Sequence, residues 1–178
     1  MTEPLRLLTQ AVDFAARRHA GQTLKGPKRT PYINHLTEVA DLIASAEPGN
    51  SELLTAAYLH DAVEDGHATA DEIEQLFGPT VRGWVDELTD DTTLPDSERK
   101  RLQVEHIRSA SAPARLLKLA DKISKVREMA DDPPADWTSE KRMAYVRWCV
   151  EVVDAGCRGL SPKLESEFDQ ASAEALAR

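Results

Sequence analysis

The stretch Leu59-His60-Asp61-Ala62-Val63-Glu64-Asp65-Gly66 decides how the rest of this chain is read. Leu53, Leu54, Ala56, Ala57, Tyr58 and Leu59 lead into it as the apolar run of a buried helix, and a glycine closes it. His60 and Asp61 therefore arrive at the interior together. A buried carboxylate is costly unless it is paired, so it normally faces a partner or a metal. Asp61, Glu64 and Asp65 have the i, i+3, i+4 spacing of one helical face, where three like charges repel unless a cation lies among them. The same spacing suits a solvated acidic helix end, and these residues alone do not choose between the two.

Outward from this stretch, apolar residues recur at intervals of three and four, with Gly and Pro between the runs, which predicts an all-α fold. The first helix, from Pro4 to Gly21, presents Leu5, Leu8, Val12, Ala15, Ala16 and His19. A basic loop with Lys25, Lys28 and Arg29 follows. A second helix starts near Asn34-His35 with Leu36, Val39, Ala40 and Ile43 inward, and Ser51 is placed to cap the third. Thr69-x-x-Glu72 has the form of a capping box. Leu116, Leu117, Ala120, Ile123, Val126 and Met129 mark a long helix that Pro133-Pro134 ends. Further helices are expected over about 139–155 and from Ser161-Pro162. Trp84 and Trp148 read as core, His19 as a helix-terminal residue, and His67 and His106 as solvated.

The 178 residues suffice for one domain, expected over 1–178, with an Ala-rich end that frays from about 172. A net charge of −9 argues against a nucleic-acid partner but not against a phosphorylated small molecule. No run approaches the ~20 apolar residues of a membrane span, and no apolar leader follows the start, so no membrane partner is expected. Cys149 and Cys157 have neither metal nor redox spacing, which suits a reducing cytoplasm.

Two other stretches can complete the site. His35 follows Thr30-Pro31-Tyr32-Ile33-Asn34, and Asp121 lies inside Leu116-Leu117-Lys118-Leu119-Ala120-Asp121-Lys122. His35, His60, Asp61 and Asp121 make a mixed imidazole and carboxylate set that suits Mn, Fe or Zn with room for water and a phosphate oxygen. Alone, a histidine at a helix start is also a common cap, and an aspartate beside lysine a common surface pair.

The order His35, His60-Asp61, Asp121 resembles the HD phosphohydrolase superfamily. His19-Ala20-Gly21-Gln22, Pro31-Tyr32-Ile33-Asn34-His35, Leu59 to Asp65, Phe77-Gly78 and Lys118-Leu119-Ala120-Asp121-Lys122 narrow it to the hydrolase domain of RelA/SpoT proteins and the small alarmone hydrolases. So do Asp90-Asp91-x-x-Leu94-Pro95, Glu98 to Gln103, Trp137 and Tyr145. The resemblance implies a helical HD-domain bundle without a synthetase domain. It implies that His35, His60, Asp61 and Asp121 bind the metal, usually Mn²⁺, with Fe²⁺ or Zn²⁺ as the other candidates. It implies that Glu64 and Asp65 position and activate water that removes the 3′-pyrophosphate of a guanosine alarmone, (p)ppGpp. Lys25 matches a phosphate-contacting lysine, and Arg142 and Tyr145 are further contact candidates.

Two positions depart from the family's pattern. Leu24 stands where an arginine usually packs on the nucleobase, and Lys125 where an asparagine usually lines the nucleotide pocket. These departures leave adenosine alarmones, (p)ppApp, open as substrates. Removal of the 2′-phosphate from NADPH and a silent nucleotide-binding role are the other readings.

Overall fold

The computed structural model describes residues 4–178. Its elements are α1 (Pro4–Arg18), α2 (Ile33–Ala46), α3 (Ser51–Leu59), α4 (Ala70–Phe77), α5 (Pro79–Leu88), α6 (Asp96–His106), α7 (Ala112–Asp131), α8 (Ser139–Gly156) and α9 (Pro162–Ala177). No strand occurs among the described residues; only Thr23 and Pro31 form an isolated bridge that closes the basic loop. No described helix is long and apolar enough to cross a membrane.

The bundle is built around α7, which packs against α2, α5, α8 and α9. Leu116, Leu117, Leu119, Ala120, Ile123 and Val126 are buried on it, as an all-round apolar helix must be. Yet Lys118, Asp121, Lys122 and Ser124 are buried on the same helix. Lys118, Asp121, Lys122 and Lys125 recur at three and four, so the central helix carries one polar stripe. That stripe faces a cavity rather than solvent.

Local chemistry explains the boundaries and corrects several expectations. Asn50, not Ser51, caps α3: its side chain accepts from Leu53 N, and Ser51 is already helical. Thr69 caps α4 through Glu72 N, but the reciprocal half of the capping box is absent because the Glu72 carboxylate pairs with Arg18. On α1 the inward face is Leu7, Ala11, Phe14 and Ala15, while Leu5 and Val12 are exposed. Rotating the face this way docks Phe14 edge-on against Phe77 of α4. Helix α9 extends to Ala177, with Ala171 and Ser172 buried.

The largest correction concerns the acidic stretch. Helix α3 stops at Leu59 with His60 as its C-cap, and 61–66 is a series of turns. Ala62 N bonds to Leu59 O and Asp65 N to Asp61 O, so the path stays compact without being a helix. Asp61, Glu64 and Asp65 thus leave the helix axis and spread along the cavity floor.

Candidate metal centre and catalytic cavity

His35 enters from the first turn of α2, His60 from the end of α3, Asp61 from the turn after it, and Asp121 from the middle of α7. His35 Nε2, His60 Nε2 and Asp121 Oδ1 are buried without a hydrogen-bond partner. Ligand atoms of these three residues lie within 4.8 Å of one another. Asp61 Oδ2 adds a fourth, 3.5 Å from His35 Nε2 and 3.2 Å from His60 Nε2. An unpaired buried polar atom costs about 1–3 kcal/mol, and a cation among these atoms removes that cost for His35 Nε2, His60 Nε2 and Asp121 Oδ1. The four sequence candidates are therefore brought together, and their donor set fits a divalent metal.

The surroundings hold each ligand in its binding form. His60 Nδ1 donates to Ala57 O at 2.8 Å. Ser124 Oγ donates to Glu38 Oε2 at 2.6 Å and so must accept from His35 Nδ1, 2.8 Å away. Both Nδ1 atoms are thereby committed as donors, and Nε2 is the nitrogen each ring turns towards the centre. Tyr32, which sequence reasoning did not single out, donates its hydroxyl to Asp61 Oδ2 at 2.5 Å. Burial pushes His35 down to about 4, with Lys125 adding to the effect. Burial works against protonated His60 too, but Asp61 and Asp121 outweigh it and hold its proton up to about 10.

A cation entering the site must displace that proton. Metal affinity is expected to rise about tenfold per pH unit between roughly pH 6 and 8, because the metal-free site is protonated throughout that range. Calorimetry in buffers of different ionisation enthalpy should find about one proton released per ion. A pH-independent affinity would mean that His60 is already neutral.

Glu64 and Asp65 stand beside this centre. Glu64 Oε2 accepts from Asp90 N at 3.3 Å, and Oε1 lies 3.8 Å from Arg99. Burial, then the charges of Asp61 and Asp90, raise the Glu64 carboxyl above its ordinary value. Asp65 Oδ2 accepts from the Gln22 amide at 2.7 Å.

Two cavities meet here. One, of about 200 Å³, contains Asp61, Glu64, Asp65 and Asp121 together with Arg99, Lys100, Lys118 and Lys122. The other, of about 210 Å³, is walled by Leu24, Met129, Pro134 and Trp137. Lys25, Tyr32, Asp65, Lys125 and Tyr145 line both, so the two adjoin, and together they reach the ~300–1,000 Å³ of small-molecule sites. Lys25 and Tyr145 line both cavities. Arg142 does not: it lines neither cavity and bonds to Ser139 Oγ at 2.8 Å on its own helix. Lys125 sits at the junction with its Nζ 3.1 Å from the Tyr32 hydroxyl and 4.9 Å from the ring centroid. Gly26 docks the loop that carries Leu24 and Lys25 against the end of α7, since a Cβ there would lie 2.1 Å from Asp132 O.

Sequence reasoning missed the α6–α7 cations, which read as ordinary solvated helix charges. Trp148 is half-buried and lines the acidic cavity with Lys122 Nζ 4.1 Å from its ring centroid, so it is not simply core. His67 is not solvated either: its Nε2 lies 2.9 Å from Gln22 Oε1, against the edge of buried His19.

Residues 11–147 match the model of the HD domain family. The chain is 44% identical over 171 residues to guanosine-3′,5′-bis(diphosphate) 3′-pyrophosphohydrolase MESH1 of Xenopus tropicalis, covering 95% of this chain and 94% of that protein. It is 46% identical over 160 residues to the Homo sapiens protein of the same name, covering 89% and 88%. A solved structure of a metazoan orthologue of SpoT, described as hydrolysing ppGpp and acting in starvation responses, superposes with a TM-score of 0.91 at 39% identity over 98% of each chain.

Proposed function

Because the chain belongs to the HD domain family and aligns nearly end to end with 3′-pyrophosphohydrolases, we propose that it removes the 3′-pyrophosphate from (p)ppGpp, giving pyrophosphate and GDP or GTP. The observation that carries this reading is the convergence of three unpaired buried atoms, on His35, His60 and Asp121, beside a cavity lined by both carboxylates and cations. We read the whole chain as one hydrolase domain. Mn²⁺ is the metal we propose, with Fe²⁺ and Zn²⁺ also suited to two imidazoles and two carboxylates. The two buried free thiols, Cys149 and Cys157, favour a reducing cytoplasm.

When bound, the divalent ion polarises the phosphoryl group on the ribose 3′-oxygen and lowers the pKa of water. The chain's own residues do the rest. Glu64, raised by burial, accepts the proton of the attacking water. The water oxygen bonds to phosphorus, the bond from phosphorus to the 3′-oxygen breaks, pyrophosphate leaves, and the proton that Glu64 accepted passes to the 3′-oxygen to give the ribose hydroxyl. Asp65 holds the water from the opposite side. Lys118, Lys122, Arg99 and Lys100 receive phosphate charge in the acidic cavity, and Lys25 does so at its junction with the second. Trp137, Tyr145 and Leu24 offer apolar walls to ribose and base.

A specific observation favours a second substrate beside the first. Leu24 lines the nucleotide cavity where relatives carry arginine, and it packs against the small cluster of Ala15, Tyr32 and Leu36. An apolar wall discriminates between bases weakly, and a stacked cation contributes about 0.5–2 kcal/mol that this chain forgoes. The adenosine compounds are therefore expected to be cleaved with kcat/KM within about tenfold of the guanosine ones. Leu24→Arg should shift the ratio towards guanosine. The test compares the two bases, with Mn²⁺, in wild type and Leu24→Arg. A strong guanosine preference that Leu24→Arg leaves untouched would refute the role of position 24. Cleavage of neither base with Mn²⁺, Fe²⁺ or Zn²⁺ would refute the proposed reaction.

A further inference from the structure

A partly buried network behind Asp65 is not explained by the metal centre. Gln22, in the loop after α1, is its hub. Its Nε2 lies 2.7 Å from Asp65 Oδ2, and its Oε1 lies 2.7 Å from His19 Nδ1 and 2.9 Å from His67 Nε2. These three residues, His19, Asp65 and His67, also have metal-ligand composition and spacing. The Gln22 side chain, however, bonds to all three ligand groups, which accounts for their geometry without an ion.

The proton positions in this network follow from one constraint. An ionised carboxylate only accepts, so the group that touches Asp65 must be the amide NH₂. The Gln22 oxygen then faces both imidazoles, and each must donate to it. His19 is thereby the Nδ1–H tautomer and His67 carries a proton on Nε2. His19 is fully enclosed, and burial pulls its pKa down, so it donates as a neutral ring. Flipping the amide would set oxygen against oxygen at Asp65 and force both imidazoles to accept through these nitrogens instead of donating.

We propose that Gln22 is a positioning residue: locked by His19 and His67, it engages Asp65 Oδ2 and leaves Oδ1 turned towards the attacking water. This rests on the reading of Asp65 as part of the hydrolytic pair. The histidines supply rigidity. His19 stacks on Tyr32 with ring centroids 5.3 Å apart, and Tyr32 in turn bonds to Asp61. The water-holding carboxylate and a metal ligand are thus set by one wall of side chains, which explains why three polar residues are spent behind the cavity. A misplacement of about 1 Å in such a group costs on the order of 100-fold in rate.

Gln22→Glu is the decisive variant. It preserves size and can still accept from both histidines, but it places a carboxylate against Asp65. A purely structural tie between the histidines survives this change, whereas the aim of Asp65 does not. The expected result is a fall in kcat of about 10- to 100-fold, a KM within about threefold, and unchanged metal content and melting temperature. In an Asp65→Ala background the same substitution should change kcat by less than about twofold, because the residue through which Gln22 acts is gone. Gln22→Met, which lacks all three bonds, covers the case in which Gln22→Glu folds poorly and should lower kcat similarly. Nitrogen-15 spectra of the Zn²⁺-loaded protein should show His19 as the Nδ1–H tautomer. Wild-type kcat in both Gln22 variants, equal losses with and without Asp65, a change in KM alone, or His19 protonated on Nε2 would each overturn the inference. Full activity in Asp65→Ala would instead overturn the role given to Asp65 and leave the tautomer result standing.

Discussion

Replacing Asp121 with alanine is expected to remove the bound metal and the hydrolytic activity together. Asp121 is buried at mid-α7, its Oδ1 has no hydrogen-bond partner, and it lies 3.5 Å from His35 Nε2. Lys122, His60 and Lys118 hold its carboxyl well below the usual range against the effect of burial, so it is a full negative charge in the centre. Alanine leaves two imidazoles and one carboxylate, Asp61, whose ligating oxygen already accepts from Tyr32. Metal content should fall to background and kcat by more than about 1,000-fold, since both polarisation of the phosphoryl group and activation of water are lost. A chelator provides an independent reading. Metal at about 100 times its Kd stabilises the native state by about 2.7 kcal/mol, which for a chain of this size is roughly 5–10 °C in Tm. Wild type should lose that increment on chelation, and Asp121→Ala should show no response. Stoichiometric metal in the variant would remove Asp121 from the ligand set.

Glu64→Gln is expected to give the opposite dissociation of the two properties. Glu64 lies outside the group of three converging ligands, and its contacts are Asp90 N and Arg99. Glutamine keeps the shape and can still accept from Asp90 N, but it cannot take a proton. Metal content and Tm should match wild type while kcat falls about 100- to 10,000-fold, the range spanned by general-base removal. In wild type the acid limb of the rate profile should lie above the ordinary glutamate value, the direction set by burial and by Asp61 and Asp90. Activity within about twofold of wild type in Glu64→Gln would move the proton-accepting role to Asp65.

The sequence by itself determined the helical class, and its resemblance to a known family proposed His35, His60, Asp61 and Asp121 as ligands and Glu64 with Asp65 as the hydrolytic pair. Those signals are local. A three-four rhythm such as Leu116 to Val126 specifies a buried helix before any partner is known, and a histidine-aspartate pair at the end of an apolar run has few ways to be stable. The tertiary structure alone decided which charges share a cavity. Lys118 and Lys122 look in sequence like the solvated side of α7, and only the packing of α8 and the approach of α6 turn that side inward towards Asp121. Arg142 looked equally eligible, but its guanidinium bonds to Ser139 Oγ on its own helix and lines neither cavity. The turn at 61–66 was also invisible, since i, i+3, i+4 spacing does not distinguish a helix from successive tight turns. Gln22 stood at the end of a quoted motif, His19-Ala20-Gly21-Gln22, with no role attached: a loop glutamine becomes a hub only when residues 19, 65 and 67 converge on it. Side-chain periodicity is written along the chain, whereas a hydrogen-bond network is written across it, and only folding brings its members within 3 Å.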